Sequence, residues 1–148
     1  MAIKSKTPQS SIDNYTRRII SDAKQTLINT LIYTGEECVK YARLRGNYQD
    51  QTGNLRSSIG YAVIDYGQLI KISGFEQVLK GAEGSKEGKE LLDHLLSKYK
   101  NGIVLIVVAG MNYAAAVEAK DYDVITGSEF KAHELIPKML KQIGFLVK

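Results

Sequence analysis

From about Ser11 to Arg45, apolar residues recur at Ile12, Tyr15, Ile19, Ala23, Leu27, Leu31, Cys38 and Ala42, in steps of three, four or seven. That spacing lines one face of an α-helix. Asp13, Arg17, Lys24 and Lys40 fall on the opposite, solvent-facing side. Ser11 or Asp13 is expected to cap its start by accepting a backbone N–H bond. Gly35 is a weak point where a bend is expected. Gly46 and Asn47 are expected to end the helix in the left-handed conformation. A helix this long in a small domain needs a broad support, and a sheet is the natural one.

After it comes Thr52-Gly53-Asn54-Leu55-Arg56-Ser57-Ser58-Ile59. Asn54 can cap a short helical turn that places Leu55 and Ile59 on one side, and Gly60 can stop that turn. Tyr61–Tyr66 and Gln68–Ile72 read as two strands, with Gly67 between them marking a tight hairpin or a bulge. Leu69 does not alternate with Ile70 and Ile72, which leaves the register open. Gly81–Lys89 reads as a soft, charged loop. A second amphipathic helix follows, carrying Leu91, Leu92, Leu95, Leu96 and Tyr99, and Asn101-Gly102 closes it. The β-branched run Ile103–Val108 is the strongest strand and is expected to be buried on both faces. Tyr113–Glu118 reads as a short helix and Tyr122–Thr126 as a further strand. Phe130, Leu135, Met139 and Ile143 define a C-terminal helix, which should kink or restart at Pro137.

The expected fold is α+β: a long N-terminal helix on an antiparallel or mixed sheet, with an inserted helix and a C-terminal helix. A single domain is expected for 1–148, with 1–10 lacking fixed structure and 75–102 a candidate insertion. Apolar residues at 44% and charged residues at 24% are ordinary for a globular chain. The N-terminal Met-Ala-Ile-Lys-Ser-Lys has no apolar centre, so no secretory signal is expected. The Ile103–Gly110 run is too short to span a bilayer. A lone Cys38 excludes an internal disulfide.

The net charge of +4 is uneven. Residues 1–60 carry nine Lys/Arg against five Asp/Glu, whereas 61–148 carry eleven of each. Lys40, Arg43, Arg45 and Arg56 flank the Gly46–Gly53 loop, and such a basic patch suits phosphate or an acidic protein partner.

Catalytic chemistry is sparse. Cys38 sits on the apolar stripe of the first helix, where packing explains it better than nucleophilicity. His94, His133 and Cys38 are far apart and match no metal-ligand spacing. Gly84-Ser85-Lys86-Glu87-Gly88-Lys89-Glu90 fails as a phosphate loop: its glycines are too close, and Glu90 stands where a hydroxyl would hold magnesium. Glu118, Asp121 and Asp123 read as surface or loop-capping acids. No catalytic residue, cofactor or metal is expected.

The order of motifs resembles a family. A helix, then Thr52–Ile59, then strands, then Tyr113-Ala114 with Val117-Glu118, then a C-terminal helix is similar to the tail-component or neck-protein family of long-tailed double-stranded DNA phages and prophages. In that family a Thr-Gly-Asn-Leu-Arg-x-Ser-Ile segment precedes the sheet, and a Tyr-Ala-x-x-Val-Glu segment follows its main strand. The resemblance covers about residues 11–143. It departs after Glu118, where Ala119-Lys120-Asp121 stands in place of a glycine, and at 75–102, which is longer than the family's hairpin and is either an insertion that contacts a neighbouring subunit or a lineage-specific decoration.

The resemblance implies a structural protein of the head–tail junction or of tail completion, a ring of identical subunits found in the virion and in the host cytoplasm during assembly. Its implied partners are copies of itself and other connector or tail proteins, with non-specific DNA contact and neither membrane nor small-molecule substrate. It implies an assembly interface of Thr52, Gly53, Asn54, Leu55, Arg56, Tyr113 and Glu118, with Arg56 outward on one face and Glu118 on the other as a polar pair. The alternative reading is a nucleic-acid-binding module using Lys40, Arg43, Arg45 and Arg56. A small hydrolase or toxin is disfavoured by the missing nucleophile–base set.

Overall fold

The computed structural model describes residues 2–145. The fold is α+β, as expected. Helix α1 (Gln9–Arg45) leads through a short α2 (Asn54–Ser57) into strands β1 (Ile59–Asp65) and β2 (Gln68–Gly74). Then come α3 (Ala82–Leu96), β3 (Ile103–Ala109), the short α4 (Ala114–Glu118) and α5 (Thr126–Gln142). The three strands form one antiparallel sheet in the order β2-β1-β3.

The central strand is β1, not the more strongly apolar β3. From Ile59 to Ile64 every residue of β1 is buried. Alternation splits them between two layers. Ile59, Tyr61 and Val63 face α1, meeting Ile28, Leu31, Val39 and Ala42. Ala62 and Ile64 face α3, meeting Leu92 and Phe75. Strand β3 is an edge strand whose two faces join the same two clusters, and most of its residues are only partly buried.

Helix α1 is unbroken over 37 residues, a length of about 55 Å. Gly35 does not interrupt it. That glycine is buried because the Tyr61 ring lies directly against it and leaves no room for a side chain. The Tyr61 hydroxyl then donates to Glu36 at 2.7 Å. The helix starts at Gln9, two residues before the expected Ser11, with Pro8 ahead of it and no side-chain cap. Proline suits this place because its missing N–H would be unpaired in any case. The expected left-handed stop fails too: Gly46 takes φ −54° and ψ 122°, extended backbone. The expectation for 1–10 includes Met1, outside the described residues.

Of the segment 81–89, residues 82–89 are helix rather than loop. Gly81, Gly84 and Gly88 are buried where α3 lies against the backbone of α2 and of the strand ends. Composition suggested softness; backbone contact is what these glycines supply. The 75–102 stretch likewise contributes to the core, since its helix packs on β1 and β3 from one side of the sheet. The β1–β2 turn places both Tyr66 (φ 46°) and Gly67 (φ 84°) at positive φ, a two-residue hairpin loop. Val63 pairs with Lys71 and Ile64 with Leu69, so Ile70 is the extra residue of a bulge. That bulge is the broken alternation read at Leu69.

Helix α5 packs along α1. Cys38 is fully buried there, its thiol donating to the Ser128 carbonyl at 3.3 Å while the Ser128 hydroxyl donates to the Cys38 carbonyl at 2.9 Å. Ile136 packs against the core cluster, and of the expected face Leu135 and Met139 are partly buried while Phe130 and Ile143 are exposed. The helix runs through Pro137 without ending. Burial, and then the charge of Glu37, push the Cys38 thiol up to about 11 against the opposing pull of Lys131. Ellman's reagent at pH 8 is therefore expected to leave the native protein unlabelled and to label one thiol after denaturation; native labelling within minutes would contradict this burial.

Candidate functional site

The Thr52–Ile59 segment is a joint tied on every side. Gly53 adopts φ +79°, and a β-carbon there would collide with the Val78 carbonyl. Only glycine meets both demands without strain. The cap of α2 is Asp50, not Asn54. Its Oδ2 accepts from the Arg56 backbone N–H at 2.8 Å and its Oδ1 from that of Leu55 at 3.3 Å. Asn54 is the first residue of α2 and reaches across to α3, where its Oδ1 accepts from Gly84 N–H at 3.2 Å and its Nδ2 donates to Glu83 at 3.3 Å. The Thr52 hydroxyl accepts from Asn54 N–H at 3.3 Å, and its carbonyl from Lys80 N–H at 3.0 Å.

Leu55 and Ile59 do not share a side. Leu55 enters a cluster with Tyr48, Ala114 and Val124, while Ile59 already begins β1. Gly60 lies within the strand against the Phe75 ring and stops nothing. The fully buried Ser57 and Ser58 were missed by sequence reasoning. The Ser57 hydroxyl accepts from Val78 N–H at 2.7 Å. The Ser58 hydroxyl donates to the Leu55 carbonyl at 2.7 Å, and its own carbonyl accepts from Gly110 N–H at 3.1 Å. A pair of serines before a strand carries no signal of burial; only the close approach of three backbones creates the need for hydroxyls.

Arg56 turns inward, contrary to expectation. Its Nε donates to the Arg43 carbonyl at 3.0 Å and its Nη2 to that of Gly46 at 3.4 Å, with the guanidinium 4.9 Å over the Tyr48 ring. Arg43 returns the bond, its Nε donating to the Arg56 carbonyl at 3.0 Å, and its Nη1 pairs with Glu76 at 3.1 Å. The two arginines thus tie the end of α1 to α2. Tyr48 is buried beneath them; burial first, and Asp50 and Asp123 after it, push its phenol up to about 12 against the opposing pull of Arg56 and Arg43. Of the four expected basic-patch residues, Lys40 and Arg45 are exposed, while Arg43 and Arg56 are half-buried in internal bonds. A groove of about 440 Å³ beside them carries Glu36 and Glu76 as well as Lys40, so its charge is mixed.

Glu118 is also committed internally. Its carboxylate accepts from the backbone N–H groups of Val124 (2.8 Å), Ile125 (3.3 Å) and Thr126 (2.9 Å), capping α5. Partial burial opposes its ionisation, but the hydrogen bonds from Thr126, Val124 and Ile125 outweigh it and hold the carboxyl below its ordinary range. The expected strand at Tyr122–Thr126 is absent because these donors are spent on Glu118 rather than on a ladder. Asp121 takes φ 62°, doing the work of the glycine missing from this turn; a short polar side chain tolerates that conformation best. Tyr113 precedes α4 and is more than a third exposed, with Val117 partly buried one turn on. Arg56 and Glu118, expected as a polar pair between subunits, are each engaged by hydrogen bonds within their own chain.

Among the described residues no three His, Cys, Asp or Glu come together as a group able to hold a metal. Among them, too, no helix is long and apolar enough to cross a membrane. Comparison with protein-family models, with curated proteins and with solved structures returned no match.

Proposed function

We propose that the protein is a structural subunit of a phage or prophage particle, acting at the head–tail junction or in tail completion as a homo-oligomeric ring. The name of the assembly comes from the resemblance of Thr52–Ile59 and Tyr113–Glu118. The observation that carries the structural role is where the apolar side chains lie. Ile12, Tyr15, Ile19 and Ile20 on α1, and Leu69, Ile70 and Ile72 on β2, are all exposed. Exposed apolar surface on this scale marks sites of protein contact. Both outer strands of the sheet also leave backbone donors and acceptors open to a neighbour.

In this reading the Gly53–Ser58 joint and the Glu118 cap are rigid internal fixtures that hold the outer surfaces in place, and no bond is made or broken. The nucleic-acid alternative is weakened, because Arg43 and Arg56 are spent internally and only Lys40 and Arg45 remain of its four cations. The test is the protein content of purified particles and the effect of deleting the gene. The expected result is the chain in intact particles and, on deletion, full heads and free tails that do not join. Normal, infectious particles without the chain would refute the proposal.

A further inference from the structure

Two surfaces of this chain are apolar, unpartnered and opposite in shape. The convex one is the first part of α1. From Gln9 to Asp22 every residue is exposed, a helix rise of about 21 Å. The first well-buried residue is Ile28, so this segment projects past the sheet and past α5. Ile12, Tyr15 and Ile19 recur along it at helical spacing, with exposures of 41%, 68% and 50%. The concave surface is a groove of about 590 Å³ between β3, α1 and α5. Leu31 and Cys38 form its floor, Leu105 and Val107 one wall, and Ala132 and Ile136 the other.

The two surfaces cannot meet within one molecule. Helix α1 is continuous from Gln9 to Arg45 and itself lines the groove through Leu31 and Cys38. Its first half would have to fold back on its second half to enter, and the helix has no break that allows it. A second copy has no such restriction. We infer that the projecting half of α1, through Ile12, Tyr15 and Ile19, seats in the β3–α5 groove of the next copy, head to tail.

This joint deepens the ring reading above and rests on it. A convex patch meeting a different, concave patch is a heterologous contact, which closes into a ring when the rotation permits. Amphipathic helices commonly lay their apolar face into such grooves. The groove's one acidic lining residue, Glu129, is exposed and can meet Arg17 or Arg18 beside the stripe. One side of a helix this long and about 11 Å across presents on the order of 350 Å². Both partners together then cover roughly 700 Å² per joint, below the size of a stable pair. Each joint is weak alone and persists through repetition around the ring or at high concentration.

Cross-linking tests this. Full chains carrying Ile19→Cys and Ala132→Cys are mixed and treated with a short bismaleimide. The mixture is expected to give a covalent heterodimer, and a chain with both substitutions a ladder of higher oligomers. Adding Ile12→Glu to the Ile19→Cys chain should cut the heterodimer yield at least about tenfold, with its thermal midpoint unchanged because Ile12 touches no core. Ile19→Cys homodimers in place of the heterodimer, or no cross-link at high concentration, would overturn the joint. A ring seen by sedimentation of the unmodified chain without the 19–132 cross-link would overturn it while leaving the proposed function standing. Absence of the chain from particles, measured separately, would remove that function.

Discussion

Gly84→Ala is expected to destabilise the protein by about 3 kcal/mol or more, although the same change in an exposed helix stabilises by about 1 kcal/mol. Gly84 sits in the first turns of α3, and a β-carbon there would overlap the carbonyl oxygen, carbonyl carbon and Cα of Asn54. Those atoms belong to α2 and cannot rotate aside as a side-chain tip can. Nor can α3 retreat, because Leu92, about three turns from its start, is fully buried between the strands and Phe75. Lifting the helix would open that layer and break the Asn54–Gly84 hydrogen bond. Urea unfolding read by circular dichroism measures the change. Glu87→Ala, on the exposed side of the same helix, is the control and should stay within about 0.5 kcal/mol of the parent. Equal stability of Gly84→Ala and the parent would mean that α3 does not rest on α2 as described.

The second large effect belongs to Glu118. Glu118→Ala leaves three backbone donors at the start of α5 without their acceptor, and a loss of about 2–3 kcal/mol is expected. Glu118→Gln keeps one acceptor oxygen and should lose roughly half as much. The effect depends on pH with a definite sign. The folded-state carboxyl titrates below its ordinary value of 4.5. Its contribution is therefore complete above that ordinary value and is lost as the pH falls through the lower, folded one. The gap in urea midpoint between parent and Glu118→Gln should be the same at pH 7 and pH 6, and should shrink below pH 4.5. A gap that widens on acidification would contradict the capping geometry.

The elements of this fold were largely legible because each rests on a local signal. The three- and four-residue steps of α1, the β-branched run of β3 and the turn at Gly67 all report the backbone directly. What the sequence concealed depends on contacts between distant segments. Gly84 and Gly88 look like loop formers until α2 is placed beneath them. Arg56 looks free until the carbonyl ends of α1 arrive beside it. Val124 and Ile125 look like a strand until Glu118 takes their N–H groups. In the candidate joint, Gly53 was readable from its turn chemistry. Asp50, Ser57 and Ser58 were not, because their value lies in closing hydrogen bonds that exist only after folding.

The bulge at Ile70 has a consequence for how the protein behaves on its own. Strand β2 is seven residues long, lies at the rim of the sheet and carries three exposed aliphatic side chains. A straight rim of that kind is a template for indefinite stacking into fibrils. The extra residue breaks the run of evenly spaced backbone groups and sharpens the local twist, and the cationic Lys71 follows immediately. The chain can thus keep exposed aliphatic side chains at the rim of its sheet without offering a regular template for strand-on-strand stacking.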